Sequence, residues 1–311
     1  MSIRFDGRVA IVTGGGNGLG REHCRQLAAR GARVVVNDLG GSVDGSGASS
    51  AAAEAVAEEI RAAGGEAFAN GADITDLVQV EAMVAEAKAR WGRVDILVNH
   101  AGILRDKTVA KLELADFRKV VEVHLMGSVN CSKAVWETMR AQAYGRIVMT
   151  SSSSGLYGNF GQSNYGAAKA AVVGLMNVLH LEGAKHDIRI NTLAPAAATR
   201  MVEGLIPAEA EALLSPELVS PGVLYLASED APSRTILGAG AGAFALTRIV
   251  ETPGVYLGSD VTVDDVAAHW ARIGARDGEA EQAGAFMQTD KFLALAIEGL
   301  AARLELAGVS A

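Results

Sequence analysis

The chain has 311 residues, half of them apolar and 21% charged, which is enough to bury a sizeable core and unlike a disordered chain. A formal charge of −8 argues against broad nucleic-acid binding, whose footprint is a basic face, but leaves room for an anionic substrate held by a few local cations. Two isolated cysteines, Cys24 and Cys131, exclude a disulfide framework or thiolate cluster; no metal site is expected, and both read as small buried hydrophobes on helices.

The first residues are interrupted by Arg4, Asp6 and Arg8, so no signal peptide is expected, and no apolar run has the length of a membrane span. The C-terminal Gly308-Val309-Ser310-Ala311 is not a peroxisomal address, so a cytoplasmic protein is expected. In chain order the pattern alternates short β-branched runs with Ala-rich helical stretches. Val9 to Val12 reads as a buried strand, Gly18 to Arg30 as a helix, Arg33 to Asn37 as the second strand and Ser50 to Ala63 as a helix ended by Gly64-Gly65. Between these last two, the low-complexity Gly40 to Ser50 reads as a flexible surface loop. Glu66 to Asn70, Val94 to Asn99, Arg146 to Thr150 and Ile188 to Leu193 supply further strands. Helices are predicted over Asp76 to Trp91, Leu114 to Gln142 with an interruption, and Asn164 to His186. Continuous apolar strands imply burial on both faces, hence an α/β fold with a doubly wound parallel sheet of Rossmann type.

Beyond Pro195 the rhythm breaks. Pro216 to Ser228 reads as a helix, Gly238, Gly240 and Gly242 as a turn, and Ala243 to Val250 as the last strand. Thr262-Val263-Asp264-Asp265 is a helix N-cap signal opening a helical tail. Residues 1–250 are therefore expected to form the dinucleotide-binding catalytic domain, with 251–311 a C-terminal extension packed on it.

Thr13-Gly14-Gly15-Gly16-Asn17-Gly18-Leu19-Gly20 joins the first strand to the first helix. Glycines there allow a tight turn and let backbone amides touch a pyrophosphate at the helix N-terminus. Asp38 ends the second strand, 18 residues after Gly20, where its carboxylate would take the adenosine ribose hydroxyls and repel a 2′-phosphate. At an effective dielectric of about 20, like charges about 4 Å apart cost about 4 kcal/mol, enough to select NAD. Asp73 and Ile74 are placed at the adenine edge, and Asn99, Ala101 and Gly102 at the end of the fourth strand, where ligands of such sheets bind.

Tyr165 and Lys169 are four apart on a predicted helix and share a face, and Ser152 lies 13 residues before Tyr165, past the fifth strand at the same sheet edge. Oxidising an alcohol needs a base for the hydroxyl proton as hydride leaves for the cofactor. A phenol titrates near pH 10, and a lysine ammonium with a positive nicotinamide would favour phenolate; about 3 units of pKa are worth about 4 kcal/mol. Lys169 is also expected to hold the nicotinamide ribose, and Ser152 to steady the substrate oxygen.

These motifs, with Asn99-His100-Ala101-Gly102 and Asn191-Thr192-Leu193-Ala194-Pro195, resemble the short-chain dehydrogenase/reductase superfamily over residues 5 to about 250. Two positions depart from its pattern: His100 replaces the second asparagine of Asn-Asn-Ala-Gly, and Ala196 the glycine after proline. The resemblance implies that Pro195, Ala198 and Thr199 contact the cofactor, and that His124 stands where most members carry a catalytic asparagine. In the family that asparagine breaks the helix hydrogen bonding and helps hold a relay water beside the lysine. Here a histidine titrating near pH 6.5 is expected to support the relay. A homodimer or homotetramer built through the helices around 114–142 and 164–186 is also implied.

A narrower resemblance rests on Asn37 to Gly41, Ala101 to Asp106, His124 to Ser128, Tyr157 to Gln162 and the tail around Thr262 to Val266 and Trp270. These are similar to the (3R)-hydroxyacyl-CoA dehydrogenase domains of type 2 peroxisomal multifunctional enzymes. The implied reaction is (3R)-3-hydroxyacyl-CoA to 3-ketoacyl-CoA, a step of fatty acid β-oxidation. Two alternatives stand: a hydroxysteroid or other bulky-alcohol dehydrogenase with the same residues, and a non-catalytic dinucleotide-binding regulator. Intact Ser152, Tyr165 and Lys169 count against the regulator.

Overall fold

In the computed structural model, residues 2–197 and 213–306 are described, with side chains to residue 302. Seven parallel strands, β1 (Val9–Thr13), β2 (Arg33–Asn37), β3 (Glu66–Asn70), β4 (Ile96–Asn99), β5 (Gly145–Thr150), β6 (Ile188–Ala196) and β7 (Ile236–Gly240), and an antiparallel β8 (Ala243–Thr247) form one sheet. Its order is β3-β2-β1-β4-β5-β6-β7-β8. Alternate residues on each strand enter opposite cores. Ala10, Val12, Val34, Val36 and Val98 pack with helices α1 (Gly18–Ala29), α2 (Ala51–Ala62) and α8 (Ser220–Leu226). Val9, Ile11, Val35, Leu97 and Ile147 pack with α3 (Leu77–Trp91), α5 (Gly127–Gln142) and α7 (Ser163–Gly183). Each such valine, isoleucine or leucine stabilises the fold by about 1.5–3 kcal/mol on burial. This is the doubly wound, Rossmann-type sheet expected from the continuous apolar runs.

Strand order reverses between β1 and β4, so a crevice opens outside the carboxyl ends of these strands. The long predicted helix is broken as expected. α4 (Leu114–Val121) passes into a π-helical turn at Glu122–Met126, where the Gly127 amide bonds back to the Glu122 carbonyl, before α5 resumes. Such turns concentrate at functional sites. A short helix, α6 (Ser153–Tyr157), follows β5.

Three elements differ from the sequence reading. Gly238 and Gly240 lie inside β7 and not in a turn. A Cβ on Gly240 would come 2.6 Å from the Ala196 carbonyl oxygen of β6, so glycine marks close strand approach there. The turn is Ala241-Gly242, with φ of 50° and 73°, which suits a two-residue hairpin into β8. Pro216 to Ser228 is a 3-10 turn (Pro216–Leu218) followed by the seven-residue α8, with Pro221 in its first turn where no amide donor is needed. The Gly40 to Ser50 loop is pinned down: Ser42 N donates to Ser46 O (2.8 Å), Leu104 N to Val43 O (2.9 Å) and Arg105 Nε to Asp44 O (2.9 Å).

The chain separates into two compact units at Thr247/Arg248, three residues before the expected boundary. In the second unit the capping box is present, with Thr262 Oγ1 accepting from Asp265 N (3.3 Å) and Asp265 Oδ2 from Thr262 N (2.9 Å), and opens α9 (Val263–Ala268). α10 (Trp270–Ile273) and α11 (Ala285–Leu306) follow, and Lys291 pairs with Glu251 at 3.1 Å. Among the described residues no helix is long and apolar enough to cross a membrane, and no metal-binding group of His, Cys, Asp and Glu is present. Cys24 and Cys131 are buried and unpaired; burial pushes the Cys131 thiol up to about 12.

Candidate active site

A cavity of about 510 Å³ lies at the carboxyl edge of the sheet. Gly14, Asn17, Gly18 and Leu19 from the glycine turn line it. Gly14 has φ of 68°, and a Cβ on it would sit 2.8 Å from Ala101 Cα; a Cβ on Gly20 would sit 2.0 Å from Gly14 O. These glycines therefore let the turn close against the β4 loop. The N-cap Asn17 makes no side-chain capping bond and no acid lies in the first turn of α1, so among the described residues its orphan amides are left to serve an anion at the wall. That cradle fits the pyrophosphate of a dinucleotide.

Asp38 lines the same cavity, with Oδ2 accepting from Gly16 N (2.8 Å) and Oδ1 from Gly40 N (2.7 Å). These bonds fix the carboxylate and leave lone pairs for ribose hydroxyls. Asp73 and Ile74 also line it, though Asp73 Oδ1 is held by Thr75 N (2.9 Å) and Thr75 Oγ1 (2.8 Å). Ala101 and Gly102 face the cavity because Thr13 Oγ1 accepts from the amides of both His100 (3.0 Å) and Ala101 (3.1 Å). Pro195 of β6 faces it as well.

Ser152, Tyr165, Lys169 and His124 line this one cavity. Ser152 caps α6, accepting from Ser154 N at 3.2 Å, and its hydroxyl offsets part of the upward push that burial gives the Tyr165 phenol. Gly155 lets α6 approach α7, since a Cβ there would lie 2.6 Å from Lys169 Cβ. Lys169 is 4% exposed; Nζ donates to Thr150 O at 2.6 Å, and burial pulls its ammonium down to about 7. Nζ stands 5.6 Å from the centre of the Tyr165 ring. Burial also pushes the phenol above its usual value, so the protein alone keeps Tyr165 protonated. The lysine charge by itself does not produce the phenolate that the sequence suggested.

His124 sits in the π turn, buried, with its ring 5.2 Å from that of Tyr165 and perpendicular to it. Nε2 is 2.8 Å from Ile103 O and 3.1 Å from Ile103 N, so one tautomer donates to the carbonyl and the other accepts from the amide. Nδ1 is buried with no partner among the described residues. A Cβ on Gly102 would lie 2.2 Å from His124 Cε1, so only glycine leaves room for the ring. Burial, reinforced by the charge of Lys169, holds the imidazole far below 6.5. This corrects the expectation of a titrating group: His124 stays neutral through the working range. Its expected role is positional, since it fastens the Ile103 loop and backs the Tyr165 ring. His124→Ala should lower kcat by about ten- to a hundredfold, the scale of a misplaced catalytic group, with a smaller rise in the KM for cofactor. His124→Asn should recover much of the loss, and the pH–rate profile should keep its shape; wild-type kcat in His124→Ala would reduce the residue to packing.

Two expected cofactor residues do not face the cavity. Gly20 acts by contact with Gly14, and Asn99 is buried in the sheet, its Nδ2 3.3 Å from Ser132 Oγ. Ala198 and Thr199 lie outside the described residues. The cavity also uses residues that the sequence reading missed. The pinned loop contributes Ser42, Val43 and Gly45, and the opposite wall contributes Lys119 and Val123, which no local motif singles out; Gln162, the end of the Tyr157 to Gln162 match, lines it too.

The short chain dehydrogenase family model matches residues 8–210, and this chain belongs to that family. It is an oxidoreductase acting on CH–OH groups, and the family's cofactor is a nicotinamide dinucleotide. Among relatives, it is 45% identical to peroxisomal multifunctional enzyme A of Dictyostelium discoideum over 89% of this chain and 62% of that protein. The structure of full-length peroxisomal multifunctional enzyme type 2 from Drosophila melanogaster matches 96% of this chain and 51% of its own, with TM-score 0.80 and 36% identity. A 7α-hydroxysteroid dehydrogenase complexed with NADH and 7-oxo glycochenodeoxycholic acid matches 77% of this chain and 95% of its own, with TM-score 0.69 and 31% identity. The chain thus spans less than two-thirds of the length of the multifunctional relatives, from 62% of the Dictyostelium protein down to 37% of peroxisomal multifunctional enzyme type 2 of Mus musculus.

Proposed function

We propose that this chain oxidises a (3R)-3-hydroxyacyl-CoA to the 3-ketoacyl-CoA with NAD as acceptor. The observation that carries the chemistry is one cavity lined by Ser152, Tyr165 and Lys169 at one point and by the uncapped glycine turn and Asp38 at another. Bound in this cavity, an oxidised nicotinamide would supply the hydride acceptor and a positive charge that favours a phenolate. Tyr165 Oη takes the hydroxyl proton, and the Ser152 hydroxyl donates to the substrate oxygen as charge develops on it. Lys169, held by Thr150 O, keeps its amine on the same cavity wall, where its charge acts on the phenol and on a bound ribose.

The thioester substrate is supported by similarity to multifunctional enzymes of peroxisomes. A hydroxysteroid is the second reading, supported by the likeness to the steroid enzyme. NADH formation should be assayed on (3R)-hydroxyacyl-CoAs, their (3S) isomers and 7α-hydroxysteroids. Turnover of the (3R) thioesters above the other two is expected; robust steroid turnover with none on any thioester overturns the first reading.

NAD over NADP is supported by the fixed Asp38 carboxylate and by the lack of any Lys or Arg between Arg33 and Arg61. The kcat/KM ratio should favour NAD by about a hundredfold or more, since a like charge at about 4 Å costs about 4 kcal/mol before screening. Asp38→Ser should narrow that ratio by raising NADP use. Equal use of both cofactors by the wild-type protein would remove Asp38 as the selector.

A further inference from the structure

Asp38, Asp73 and Asp106 line the cavity, and besides Lys169 it is lined by a second lysine, Lys119 of α4. Lys119 of α4 and Val123 of the π turn that continues it both line the cavity. Val123 immediately precedes His124, whose ring backs Tyr165 at 5.2 Å. Lys119 is therefore one helical turn further from the reacting tyrosine along the same wall.

Two of the nearby cations are held by a carboxylate. Arg105 and Lys107 both bind the Asp116 carboxylate, at 2.9 and 3.2 Å. Lys119 is half-buried, and among the described residues no hydrogen bond or ion pair holds its ammonium. Residues 104–119 carry five cations (Arg105, Lys107, Lys111, Arg118, Lys119) against three acids (Asp106, Glu113, Asp116), in a chain of net charge −8. Local positive charge on an acidic protein, with an unpaired ammonium in the cavity wall, is the arrangement that steers and seats an anion.

We propose that Lys119 is the specificity-determining residue for a phosphorylated acyl carrier, pairing with the phosphate of the phosphopantetheine arm while the acyl chain lies at Tyr165. This rests on the thioester reading above. The phosphate is common to CoA and to a carrier-protein thioester, and the assay separates the two sources. A lysine suits the role as a mobile point charge on a flexible stem, able to follow an arm that varies in pose.

The test compares wild type, Lys119→Gln and Lys119→Arg on one 3-hydroxyacyl chain carried by CoA, by phosphopantetheine, by pantetheine without phosphate, and by an acyl carrier protein. Wild type should prefer the CoA and phosphopantetheine thioesters over pantetheine by about tenfold in kcat/KM, chiefly through KM, the factor that one charge pair of about 1.4 kcal/mol supplies. In Lys119→Gln that preference should collapse toward unity, together with the salt dependence of KM; Lys119→Arg should retain both. Carrier-protein turnover that also falls in Lys119→Gln extends the role to both sources, and a fall on CoA alone among the two assigns it to CoA. A CoA advantage over phosphopantetheine, lost in Lys119→Gln with the phosphopantetheine preference untouched, overturns the proposal in favour of the nucleotide phosphates. An unchanged preference in Lys119→Gln overturns it outright while leaving the thioester reading standing. No wild-type turnover of any thioester defeats that reading and this inference with it.

Discussion

Tyr165→Phe should lower kcat by about 10²- to 10⁴-fold while the affinity for NADH stays within about twofold. The substitution deletes only the phenol oxygen. The ring keeps its perpendicular contact with His124, and Lys169 keeps its bond to Thr150 O. What is lost is the phenol that shares the cavity wall with Ser152 and Lys169 and can exchange a proton with a substrate hydroxyl. Neither neighbour replaces it: the Ser152 hydroxyl stays un-ionised at neutral pH, and burial makes the His124 imidazole a much weaker base than a free one. Because burial pushes the phenol up, oxidation by the wild-type protein should gain rate as pH rises, and that gain should vanish in Tyr165→Phe. Stopped-flow turnover and NADH fluorescence titration check the two halves separately. Substantial turnover in Tyr165→Phe would assign the proton to another residue; lost NADH binding would mean the phenol serves the cofactor instead.

The sheet was legible because buried parallel strands write themselves as continuous apolar runs, and β1 to β6 fall where Val9, Arg33, Glu66, Val94, Arg146 and Ile188 open those runs. β7 was not, since Gly238 and Gly240 look like a turn until Ala196 of β6 is seen against them. The glycine turn and the Tyr165/Lys169 pair are local patterns, so spacing alone found them. Contacts across long separations left no such mark. Thr13 reaches amides 87 and 88 residues away, and the Val43 carbonyl meets Leu104 from the far side of the cavity. Charge state was the least legible property. His124 and Lys169 owe their shifts chiefly to desolvation, a property of the assembled core. Asn99 shows the converse: it was chosen for its place at a strand end, but its side chain turns into the sheet interior toward Ser132 and Met149.

Lys169→Ala should damage both turnover and cofactor binding, and the binding loss should depend on pH with a sign that the structure fixes. In the protein alone the ammonium is pulled from 10.5 down to about 7 by burial, with one backbone acceptor at 2.6 Å. Below pH 7 the wild-type lysine is charged and able to donate to ribose hydroxyls; above pH 7 it is neutral in the free protein, and a ligand that needs the ammonium must restore the proton. NADH binding to wild type should therefore take up protons above pH 7, with affinity falling by up to about tenfold per pH unit, the limit for one coupled proton. Calorimetry in buffers of different ionisation enthalpy reads that uptake directly. In Lys169→Ala the uptake should disappear and affinity should be weaker and flat across the same range. Stability should move the other way. Between pH 7 and 10.5 the unfolded chain binds the lysine proton and the folded chain does not, so wild-type stability contributed by this group rises with pH across that window. Lys169→Met, which fills the space without a charge to desolvate, should accordingly raise the Tm of the cofactor-free protein near pH 7 even as activity is lost. A Lys169→Met protein that melts lower than wild type at pH 7, with NADH affinity in the wild type insensitive to pH, would mean that this lysine is neither strained by burial nor the group that holds the cofactor.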